Sequence, residues 1–189
     1  MDNTQAQRGM ERVKEAIFAA GFTEAGAVGI DGLTYEEEIR RICEGNSCRN
    51  YGASWACPPA VGALDACRRQ CEQYGHMILF NRKYPLEDPF DYDGMVGALR
   101  DFKARVEALD EAIVPWIGKR LMLSNEGCGR CSRCTYPDSP CRFPDRLYPS
   151  IEGYGFNIGR LAREAGMHGH FGPGTVTYFG AVLFGSKGK

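Results

Sequence analysis

Val176-Thr177-Tyr178-Phe179-Gly180-Ala181-Val182-Leu183-Phe184 is apolar at almost every position, odd and even alike. Successive side chains of a strand point to opposite faces, so this segment predicts a strand buried on both sides, in the interior of a sheet. Upstream of it, Phe156 to Ala165 predicts a helix with Gly166 beyond its end. Arg120 to Leu123 predicts a short strand. Met95, Leu99, Phe102, Val106, Leu109 and Ile113 recur at spacings of three and four, the buried face of a long helix that Pro115 is expected to close. His76 to Phe80 reads as an apolar strand, Leu64 to Tyr74 as a helix, and Ala25 to Ile30 as a strand. Thr34 is expected to cap a helix over Tyr35 to Ile42, with Glu37 completing a capping box. Met10 to Ala20 forms a first helix ended by Gly21, and Ser186 to Lys189 a frayed tail. Strands separated by helices give an α/β class: a single-domain sandwich over 1–189, with a mixed sheet, helices packed on it, and two cysteine-rich loops at 43–59 and 127–146.

The 189 residues suit one compact domain, and 43% apolar with 25% charged residues is an ordinary globular balance. A net charge of -1 offers no basic field for nucleic acid, so no nucleic-acid partner is expected. No apolar run is long enough for a membrane span, and the first residues do not resemble an export signal; a cytoplasmic location is expected. Against that background nine cysteines are many. A disulfide framework belongs to small secreted chains, and an odd count leaves one thiol unpaired.

Four of them form the run Cys128-x2-Cys131-x2-Cys134-x6-Cys141, followed by Arg142. Two-residue gaps present successive sulfurs to different corners of a metal cube, and the expected cofactor is a [4Fe-4S] cluster. Zinc competes, because four thiolates also make a tetrahedral site, although structural zinc more often uses two separated pairs. Gly127 and Gly129 relieve crowding, and Pro137 and Pro140 turn the chain back towards Cys141. Arg130, Arg133, Arg142 and Arg146 surround the loop against Asp138 and Asp145, ready to offset a negative cluster or to meet an acidic partner, or simply solvated.

Cys43, Cys48 and Cys57 lie in the earlier loop with Tyr51, Trp55 and Pro58-Pro59. Three thiolates there would hold a second cluster with one iron open to a small ligand; buried structural thiols are the alternative. Cys67 and Cys71 share a helical stripe with Leu64 and Tyr74, which core packing explains; a role as fourth ligand competes. Glu152 reads as a salt-bridged or exposed turn carboxylate, with proton donation as the sharper reading. His168 and His170 sit in a glycine-rich turn before the last strand.

The segments Cys43…Cys48-Arg49-Asn50-Tyr51-Gly52…Trp55-Ala56-Cys57-Pro58-Pro59, Cys128 to Arg142, and Pro149-Ser150-Ile151-Glu152-Gly153-Tyr154-Gly155 together resemble the DUF2284 family of predicted metal-binding proteins. The resemblance implies metal ligation at Cys128, Cys131, Cys134 and Cys141, and also at Cys43, Cys48 and Cys57. The expected role is electron transfer or reductive metabolism through the cluster, with a redox protein or enzyme as partner. Non-redox catalysis on a small-molecule substrate at an open iron, by desulfuration or hydration, is one alternative; a metal-bearing interaction or maturation module is the other.

Overall fold

The computed structural model describes residues 3–186. Four strands, β1 (Glu24–Val28), β2 (Tyr74–Pro85), β3 (Arg120–Leu123) and β4 (Thr175–Ser186), form one sheet in the order β1-β2-β4-β3. The segment that opened the sequence reading is β4, and it lies inside the sheet, paired with β2 on one side and β3 on the other. All three ladders are antiparallel. The parallel component of the expected mixed sheet is an isolated bridge, Ser124 to Ser150, just beyond β3.

Alternation along the strands divides the core in two. Met77, Leu79, Ala181 and Leu183 face one layer, with Cys67, Cys71, Tyr154, Phe156 and Leu161. Ile78, Phe80, Val182 and Phe184 face the other, with Val13, Ile17, Phe102, Val106 and Ile113. Helices α1 (Asn3–Ala19) and α4 (Tyr92–Ile117) therefore cover one face, and α3 (Leu64–Cys71) and α5 (Ile158–Glu164) the other, while α2 (Glu37–Glu44) packs on the turn at Glu152–Tyr154. The result is a single α/β domain whose central strands are dry on both sides.

Several boundaries differ from the sequence expectation. Thr34 caps nothing: α2 starts at Glu37, and its N-cap, Glu36, makes no side-chain cap bond. Residues 34–36 are held instead by tertiary bonds, Glu36 N–H to Gly155 O at 2.8 Å and Arg160 to Thr34 Oγ1 at 3.4 Å. Pro115 lies inside α4, which continues to Ile117 and stops at Gly118 with φ 66°. Ser186, the first residue of the expected tail, instead ends β4 opposite Tyr74, and 187–189 lie outside the described residues.

Candidate metal centre

The later cysteine loop leaves β3 and returns to the same place. Ser124 N–H donates to Pro149 O at 2.9 Å and Ile151 N–H to Ser124 O at 2.8 Å, so residues 125–149 form a pinched excursion. Ser150 N–H then donates to Ala56 O at 2.8 Å, which fastens the base of this loop beside Cys57 in the earlier one. Higher up, Trp55 Nε1 donates to Ser139 O at 3.1 Å and its ring meets Tyr136 edge-on at 4.9 Å. A Cβ on Gly127 would overlap the Asn50 side chain, so that glycine permits the two loops to touch. The prolines act as expected: a turn at 136–138 is closed by Ser139 N–H to Thr135 O and Thr135 Oγ1 to Pro140 O, both 2.9 Å.

Cys128, Cys131, Cys134 and Cys141 are half-buried free thiols, and all four line one cavity of about 270 Å³. Its other walls include Arg49, Arg130, Arg133 and Arg142, and no carboxylate lines it. Phe143 N–H donates to Cys141 Sγ at 3.4 Å, and the Arg130 amide donates to Cys128. Burial raises the Cys128 thiol, against the pull of that amide, the Arg130 guanidinium and Lys103. The arginines flagged by the sequence divide into two kinds. Arg130 and Arg146 are tied to Glu107 on α4, each at 2.8 Å, whereas Arg142 bonds the Arg133 carbonyl at 3.0 Å and both stay at the cavity wall.

The earlier group is looser. Cys43 sits in the last turn of α2, Cys48 is exposed in a turn, and Cys57 is buried with its thiol donating to Ser150 Oγ at 3.8 Å. Burial pushes Cys57 up to about 12, and the charges of Cys48, Glu152 and Cys43 act in the same direction. These three thiols are therefore electrostatic neighbours. Cys67 and Cys71 are not among them: they are 1% and 0% exposed, and Cys67 bonds Val61 O. Core packing accounts for that pair.

Between the loops, Lys103 escaped sequence reasoning, and Glu152 has a different setting from the salt-bridged or exposed turn expected of it. Lys103, on α4, donates from Nζ to Gly127 O; burial pulls its ammonium down, while the charges of Glu126, Cys128, Cys57 and Glu152 support it. The sequence signal for it is its i+4 spacing from Leu99 on α4. Glu152 is neither exposed nor in an ion pair among the described residues. Asn125 donates to its Oε1, while Oε2 is shielded and has no hydrogen-bond partner. Burial pushes this carboxyl up to about 7. His168 binds Glu24 at 2.6 Å and, like His170, does not line the cysteine cavity.

Among the described residues, no group of three or more His, Cys, Asp or Glu side chains is arranged to hold a metal ion. The thiols share a cavity rather than a preassembled coordination shell. The chemistry of the donor set nonetheless fits a thiolate-ligated group: clustered sulfurs, amide donors to sulfur, and an excess of cations. Among the described residues no helix is long and apolar enough to cross a membrane. A family model described as "Predicted metal-binding protein (DUF2284)" matches residues 26–184. No curated protein and no solved structure matches the chain.

Proposed function

We propose, for a chain that belongs to the DUF2284 family of predicted metal-binding proteins, that it is a cytoplasmic iron–sulfur protein working in electron transfer or reductive metabolism. Cys128, Cys131, Cys134 and Cys141 would hold a [4Fe-4S] cluster, which supplies one-electron chemistry when bound. The observation that carries this reading is the single cavity shared by those four thiols, with arginines but no carboxylate in its wall. The amides of Arg130 and Phe143 donate to two of the sulfurs and so favour their thiolate form. Arg49, Arg133 and Arg142 offset negative charge, and Trp55 with Tyr136 limits water on one side. Loops 43–59 and 127–146 act as one unit, and an acidic redox protein is the partner suited to the arginine-rich rim.

A second cluster site at Cys43, Cys48 and Cys57 is supported by their mutual charge effects, with Cys67 and Cys71 set apart from it in the core. With three cysteines only, such a site would leave an iron open for small-molecule catalysis.

The test is anaerobic purification with iron, sulfide and zinc measured per chain, then electron paramagnetic resonance before and after reduction. About four irons per chain and a reducible signal support one cluster, and about eight support two. Stoichiometric zinc without sulfide, or a site silent to strong reductant, would sink the redox reading.

A further inference from the structure

A second cavity, of about 480 Å³, backs onto the cysteine cavity, and Cys128, Gly129 and Arg130 line both. One wall is a face of α4, where Val96, Leu99, Arg100, Lys103 and Glu107 follow each other at helical spacing. The opposite wall is the stem of the cysteine loop, with Ser124, Gly127, Arg146 and Tyr148. The volume is that of a small-molecule pocket.

Its polar groups are unusual in what they lack. Ser124 is 3% exposed, and its hydroxyl has no hydrogen-bond partner. Arg130 Nε is likewise buried without a partner, although the same guanidinium binds Glu107 through Nη2. Lys103 spends one ammonium proton on a neutral carbonyl, Gly127 O, and keeps others available. Buried donors are almost always satisfied, so two unfilled ones beside an ammonium with protons to spare point to a missing acceptor. Four cations, Arg100, Lys103, Arg130 and Arg146, face a single carboxylate, Glu107, and the ion pairs of Glu107 are with Arg130 and Arg146. Arg146 also pairs with Glu111, and Lys103 feels the Glu126 carboxylate, so Arg100 is the cation of this wall with no ion pair among the described residues.

We infer that this cavity binds a small organic carboxylate, its oxygens on Ser124 Oγ, Arg130 Nε and Lys103 Nζ, its carbon body on Val96 and Leu99, beside Cys128. A carboxylate accepts several hydrogen bonds in a fan, as these donors require. A bare inorganic anion would leave the apolar wall uncovered. Binding needs the loop stem but not a bound cluster, so the inference stands apart from the redox reading while placing a candidate substrate next to it.

Isothermal titration of the full chain, purified anaerobically, with butyrate, benzoate and inorganic phosphate decides the matter. Saturable binding of a carboxylate is expected, tighter than that of phosphate. Ser124→Ala and Lys103→Met should each weaken it about tenfold, the loss of one hydrogen bond within a charged cluster. Arg100→Ala, at an exposed position and therefore safe for folding, should weaken it about threefold through long-range charge. No saturable carboxylate binding, preference for phosphate, or affinities unchanged in folded Ser124→Ala and Arg100→Ala would overturn the inference. Protein purified without iron would defeat the redox reading while leaving this titration decisive.

Discussion

The carboxyl of Glu152 is held up to about 7 because burial costs its charged form more than Asn125 and the nearby amides return. Its ordinary value is 4.5, so the unfolded chain ionises first as pH rises. Stability contributed by the protonated form is complete below about pH 4.5 and is lost as pH climbs through 7. Metal-free protein should therefore lose about 2.5 kcal/mol of stability between pH 5 and 8 from this group. Urea melts across that range check the slope, and Glu152→Gln should flatten it. The sulfurs make a second residue-scale expectation. Cys128→Ser or Cys141→Ser should purify with at most a small fraction of the wild-type iron, read by metal analysis, whereas Cys67→Ser should retain it and lose stability instead, because that thiol is buried in the core.

At the scale of elements, the cysteine loop depends on how its two ends are moored. Arg120 at the start of β3 binds Asp110 on α4 through Nη2 at 2.6 Å, and Tyr148 at the far end of the loop donates to the same carboxylate at 3.1 Å. Asp110 is 4% exposed, so it is a buried anion with a cation and a hydroxyl as its partners. Asp110→Ala should cost about 3–5 kcal/mol, since it strands Arg120. Thermal denaturation measures that loss, and hydrogen exchange should show both loop ends opening. Gly180 does comparable work in the sheet. A Cβ there would lie 2.6 Å from the Phe80 ring and 2.8 Å from Leu123 O, so Gly180→Val should destabilise by about 2 kcal/mol or more in the same assay.

Over the whole molecule, the dry, two-faced sheet is the rigid part, and the paired loops at 43–59 and 127–146 are fastened together where the chain leaves the end of β3. The loops hold together by a few hydrogen bonds and one aromatic contact. Metal binding would supply the missing order, so reconstitution with iron and sulfide should slow amide exchange across residues 125–149 while leaving β2 and β4 unchanged. It should also raise the melting temperature. Equal exchange in the loop with and without iron would count against a cluster there.

The strand β4, the long helix α4 and the family segments could all be read along the chain, because each rests on periodicity or on spacing between near neighbours. Pattern failed where tertiary bonds competed with local ones: Gly155 and Arg160 take up residues 34–36, which a capping box would otherwise claim. Spacing likewise picked out the four late cysteines, whose shared cavity needs only a short loop to turn on itself. It said nothing of Lys103 or Ser124, nor of the shielding of Glu152. Those properties arise when α4, the end of β3 and the turn at 152–154 meet from distant parts of the chain. Donor chemistry is local to a residue, whereas burial, and with it charge and unmet hydrogen bonds, belongs to the packed whole.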